Sequence, residues 1–190
     1  MFSRVHSAAT LGVNAYIVEV ETDLDNKLPS YTMVGLAEGA VKESKERVTS
    51  AIKNSGYYFP PKKIIVNLAP ANIKKEGSLF DLPIAIGILA ADGKINLENL
   101  EKYVFAGELS LAGSLKHVPG ILPITVAVRD NGMKGIIVPY ENADEAALVC
   151  GVEVIPAKSL SDVIEFLNGK YSIPAYSASP ANFNRDFSDS

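Results

Sequence analysis

Apolar and polar residues alternate in two runs near the start of the chain, Ala15–Val20 and Tyr31–Val34, with the polar stretch Asp23–Lys27 between them. A period of two marks a half-buried strand, so the pattern predicts a long hairpin over residues 11–34. The period then changes. Ala37, Ala40, Val41, Ser44, Val48, Ala51 and Ile52 recur at steps of three and four, which predicts an amphipathic helix over about Glu38–Ser55, closed by Asn54-Ser55-Gly56. An apolar run between Pro60-Pro61 and Pro70 predicts a buried strand, Ile64–Leu68.

The next helix runs to about Asp92-Gly93. Ser78 and Asp81 have capping-box spacing, but Pro83 lacks an N–H and belongs in the first turn, which favours Asp81 as the N-cap. Strands at Val104–Gly107 and Ser114–His117 flank a Leu111-Ala112-Gly113 turn. Then follow a helix at Ile121–Asn131, a strand at Gly135–Val138, a helix at Ala143–Val149, a strand at Val152–Ile155 and a helix at Ser159–Leu167. This alternation predicts an α/β (α+β) fold, a mixed sheet of four to six strands with helices packed on it. The expected core includes Val48, Ile52, Ile65, Val66, Ile84, Ile88, Val126, Ile137 and Val154. Residues 1–169 read as one domain. Residues 170–190, rich in serine without an apolar period, read as a linker or an arm laid on a surface.

Composition changes this picture little. A length of 190 residues, 47% hydrophobic, suffices for one core. No run approaches the roughly 18 apolar residues of a membrane span, and the start lacks a signal-peptide core. The single cysteine, Cys150, excludes an intramolecular disulfide, suits the cytoplasm and reads as a small buried hydrophobe. His6 and His117 have no partners at ligand spacing, so no metal site is expected.

Charge is uneven. The chain carries −4, yet residues 42–75 hold eight basic side chains against two acids, leaving −10 for the rest. Lys53, Lys62, Lys63, Lys74 and Lys75 are the candidate DNA-binding residues, with Tyr57, Tyr58 and Phe59 among them as stacking groups. The competing reading is a solvated helix face with Lys42–Glu46 and Glu43–Arg47 pairs. Gly-Lys at 93–94 and 169–170 is followed by Ile95 and Tyr171, so no Walker A loop is present and ATP hydrolysis is not expected.

Two blocks, Lys74–Leu89 and Gly107–Pro139, resemble the proteolytic domain of Lon-type serine–lysine proteases. Laid over them without a gap, the nucleophilic serine falls on Leu79 and the catalytic lysine on Leu122. Ser78, one position away, is the alternative nucleophile, with a capping or loop hydroxyl as its plainer role. Val34-Gly35-Leu36, the Val41–Val48 run, Asn67-Leu68-Ala69-Pro70-Ala71 and Gly77–Ala85 carry a closer resemblance, to the amino-terminal domain of the Mg-chelatase-like ComM/YifB family of AAA+ ATPases. The family-motif positions are Asn67, Pro70, Gly77, Ser78, Asp81, Pro83, Gly107 and Glu108. The resemblance implies a non-catalytic domain without cofactor or metal. It also implies a following ATPase module that uses ATP and magnesium and assembles as a ring. Such a parent would be a DNA helicase driving branch migration in recombination and natural transformation. A Lon-like protease with a displaced nucleophile and an accessory domain of a magnesium-chelatase motor are the alternatives. In the family an Asp-Phe-x-Asp like that at 186–189 lies just before the ATPase, which implies a fragment cut at a domain boundary.

Overall fold

The computed structural model describes residues 1–177; of the expected linker over 170–190, residues 178–190 lie outside them. Nine strands and five helices are described: β1 (Phe2–Leu11), β2 (Asn14–Asp25), β3 (Ser30–Val34), α1 (Glu38–Asn54), β4 (Lys63–Ala69), α2 (Asp81–Ala91), β5 (Tyr103–Phe105), β6 (Glu108–Leu109), β7 (Leu115–Lys116), α3 (Ile121–Asp130), β8 (Gly135–Pro139), α4 (Ala143–Ala146), β9 (Glu153–Ala157) and α5 (Leu160–Leu167). Seven strands form one sheet in the order β3-β4-β2-β1-β5-β8-β9, and β6 and β7 form a separate small ribbon. In the seven-stranded sheet β2 is antiparallel to both of its neighbours, β1 and β4, and the other pairs are parallel. This is the expected mixed α/β architecture, with one strand more than the expected range.

The hairpin differs from the expectation. It joins β1 to β2 and turns at Gly12-Val13, where Gly12 takes a positive φ of 61°. β3 does not pair with β2, because β4 lies between them. The period-two signal of β1 was masked by serine. Ser3, Val5, Ser7 and Ala9 face the core, and the two hydroxyls donate to Gly87 O (2.7 Å) and Phe105 O (2.8 Å). A buried serine with a backbone partner costs little, but it does not read as apolar.

α2 crosses β1 and β2, with α1 beside it. All eleven residues of α2 are buried. Gly87 allows this close approach, since a Cβ there would lie 2.8 Å from Thr22 Oγ1. Of the expected core, Val48, Ile52, Val66, Ile84, Ile88, Ile137 and Val154 are buried. Ile65 is 37% exposed. β4 alternates, so Ile64, Val66 and Leu68 turn inward while Ile65 shares the outer face with Thr32 and Asp23. Val126 is half-buried on the outer side of α3. Cys150 is exposed, in the turn before β9, rather than a buried hydrophobe. No helix among the described residues is long and apolar enough to cross a membrane.

Candidate functional site

The Lon-like motif folds at the amino-terminal end of α2. Gly77, at φ 94°, turns the chain into a single 3-10 turn over Ser78–Phe80, and α2 follows directly, with Pro83 buried in its first turn. The β5–β6 connection closes over this turn. Gly107 N–H donates to Leu79 O (2.9 Å), and Leu82 N–H donates to Gly107 O (3.0 Å). A side chain at Gly107 would collide with Leu115, 2.8 Å from an added Cβ.

Asp81 is not an N-cap. That position is Phe80, and no side chain caps the helix. The fully buried Asp81 carboxylate instead accepts from Arg47 Nε (2.6 Å) and Nη2 (3.2 Å), Ser44 Oγ (2.9 Å) and the Leu109 N–H (3.2 Å). Burial pushes the Asp81 carboxyl above the ordinary carboxylate range, against the pull of Arg47, Leu109 N–H and Ser44. The hydrogen bond to Asp81 pushes the Arg47 guanidinium upward, so it stays charged. Desolvation of a carboxylate is costly, and the fork of the guanidinium offsets much of it. Sequence reading missed Arg47 and Ser44. The signal was Ser44 itself, a hydroxyl inside the apolar stripe of α1, where a polar group needs a partner.

The two positions onto which the Lon-like resemblance lays the dyad carry hydrocarbon. Leu79 is buried beneath the 3-10 turn. Leu122 is 38% exposed on α3 and lines a shallow depression of about 460 Å³ with Val13, Ala15, Pro123 and Val126. The Ser78 hydroxyl donates to the Glu108 carboxylate across the junction. Among the other motif positions, Asn67 Nδ2 donates to Glu21 (3.1 Å), and Pro70 O accepts from Lys75. Among the described residues, no group of three or more His, Cys, Asp or Glu is placed to hold a metal.

The basic segment does not form one patch. Lys75 is a correction to the DNA-binding candidates: it is buried, and its ammonium donates to Pro70 O and Ile73 O (2.6 Å), folding the 70–75 loop around itself. That burial pushes its pKa down. Lys62 is held by Asp92 at 3.3 Å, and Lys74 meets Glu76 at 3.4 Å, well exposed. Lys63 stands opposite Asp25 and Ser30 at the start of β4, and Lys53 is exposed in the last turn of α1. Tyr57 and Phe59 pack against the core, while Tyr58 is 87% exposed.

The described residues form a mixed α/β sheet with a glycine-and-acid junction at the start of a buried helix. Residues 20–142 match the family of subunit ChlI of Mg-chelatase, and the chain belongs to that family. It is 44% identical over 170 residues to competence protein ComM of Haemophilus influenzae, covering 90% of this chain and 33% of that protein. It is 49% identical over 170 residues to YifB of Salmonella typhimurium, covering 89% and 33%. It is 28% identical over 155 residues to Lon protease 2 of Bacillus subtilis, covering 80% and 27%. The chain thus spans about a third of the length of ComM and YifB.

Proposed function

We propose that this domain is a non-catalytic part of a ComM-like AAA+ ATPase, and that it supports assembly and DNA engagement of a branch-migration helicase acting in recombination and natural transformation. ATP, magnesium and ring formation belong, in this reading, to an ATPase module outside this chain, and the protein works in the cytoplasm. The identity to ComM over nine-tenths of the chain supports the family role. The observation that carries the non-catalytic reading is the pairing of the Ser78 hydroxyl with the Glu108 carboxylate at the α2 junction. In the Lon-like overlay the nucleophile falls on Leu79 and the lysine on Leu122, and Ser78, the hydroxyl beside Leu79, is engaged by a carboxylate rather than an amine. A serine–lysine dyad needs an amine within hydrogen-bond reach to take the hydroxyl proton. Neither leucine can attack a carbonyl or move a proton. The chain is expected to give no turnover of casein or fluorogenic peptides and no covalent labelling by a serine-reactive fluorophosphonate. Labelling that disappears in Ser78→Ala would overturn the reading in favour of a displaced nucleophile.

A further inference from the structure

The loop between α1 and β4 builds a cleft that the scattered lysines do not suggest on their own. Pro29, Ser30, Tyr31, Lys53, Phe59 and Lys62 line a depression of about 310 Å³, at the small end of the range for ligand sites. Its aromatic side is fixed. The Tyr31 and Phe59 rings sit 5.6 Å apart, tilted by 46°, and Lys45 Nζ lies 5.2 Å over Tyr31 while donating to the Tyr31 carbonyl. Its charge is localised, because Asp92 is matched by Lys62, while Lys53 makes no ion pair among the described residues. Tyr58, preceding Phe59 and the stiff Pro60-Pro61, holds an almost fully exposed ring on the same loop.

We infer that this cleft takes a segment of single-stranded nucleic acid, with Tyr58 stacking on a base and Lys53 meeting a neighbouring phosphate. The inference rests on the DNA-engaging reading above and names its site. A projecting aromatic ring finds a partner only in a base whose face is free, and duplex DNA keeps its base faces stacked. A duplex would instead call for a broad basic surface, and the fold buries Lys75, commits Arg47 to Asp81 and pairs Lys62 with Asp92. The ring of Tyr58 makes no contribution to the core, so its replacement leaves the fold intact.

The test is fluorescence anisotropy with a labelled oligothymidylate, a duplex of the same length and a labelled polyglutamate. Tyrosine emission gives a second readout, since the chain has no tryptophan. The oligothymidylate is expected to bind most tightly and to quench tyrosine emission. Tyr58→Ala is expected to weaken it about tenfold, Tyr58→Phe to retain it, and Lys53→Ala to lower the log–log salt slope by about one unit. Lys74→Ala, outside the cleft, should leave affinity unchanged. Equal binding of duplex, or loss with Lys74→Ala but not with Tyr58→Ala, overturns this site and keeps the DNA reading. Failure of the chain to bind either DNA overturns both. Polyglutamate binding that displaces the oligothymidylate's role and is lost in Lys53→Ala makes the cleft a site for an acidic protein and overturns the nucleic-acid inference.

Discussion

Lys75 illustrates how one side chain can change its meaning on folding. In the sequence it is one of a basic pair; in the structure it is a buried ammonium satisfied by two carbonyls of its own loop. Desolvation disfavours its charged form, so its folded pKa lies below the ordinary lysine value. The folded state therefore gives up the proton before the unfolded state as pH rises. Stability contributed at this site increases with pH through the window between the lowered folded pKa and 10.5. Urea midpoints at a series of alkaline pH values should show this gain in the wild type relative to Lys75→Met; parallel curves for the two would refute it. Its neighbour Lys74 is exposed, so two adjacent lysines that look equivalent in the sequence have opposite roles. Burial alternates with backbone direction, and the irregular 70–77 loop has no period from which to read it.

At the scale of elements, Asp81 joins three pieces that are separate in sequence: α1 through Ser44 and Arg47, α2 through its own backbone, and the β6–β7 ribbon through Leu109. Asp81→Ala leaves Arg47 partly buried and a buried N–H without a partner, and is expected to cost about 3 kcal/mol. The exposed pair Lys74–Glu76 is a control: Lys74→Ala should change stability by less than about 0.5 kcal/mol. Chemical denaturation measures both, and similar values for the two would remove Asp81 from this role. The helices and the parallel strands were legible: Val48 and Ile52 follow the three-and-four step of α1, while Ile84 and Ile137 stand in short apolar runs bounded by glycine and proline. The Asp81 junction was half legible. The acid was visible, but its nearest explanation was a local cap, and a partner 34 residues away leaves no local trace. β1 was not legible, for its inward face is half serine.

At the scale of the whole molecule, the sheet has two edges, and both are guarded. Within residues 11–34, where the sequence predicts one long hairpin, only β3 forms an edge, because β2 lies inside the sheet. β3 is five residues long, and Lys45 occupies the Tyr31 carbonyl. β9 is covered by the chain's own 171–177 segment, where Tyr176 N–H donates to Val154 O at 2.8 Å and the Tyr176 ring meets Tyr140 edge-on. Short, capped edges discourage strand pairing between copies. Light scattering is expected to find a monomer, or a weak association that dissolves on dilution. Truncation after Gly169 should bare β9 and shift association to lower concentration than in the full chain. A stable hexamer of the intact chain at sub-micromolar concentration would place the assembly determinants here after all.

The exposure of Cys150 also makes the molecule measurable. It is the sole thiol of the chain, it stands in solvent, and it precedes β9 at one border of the sheet. β3 forms the opposite border, six strand spacings or roughly 29 Å away. A maleimide dye would therefore attach at one defined point, without a cysteine having to be engineered. From there it works as an optical ruler: the distance to a label on a captured strand reports where along the sheet that strand lies.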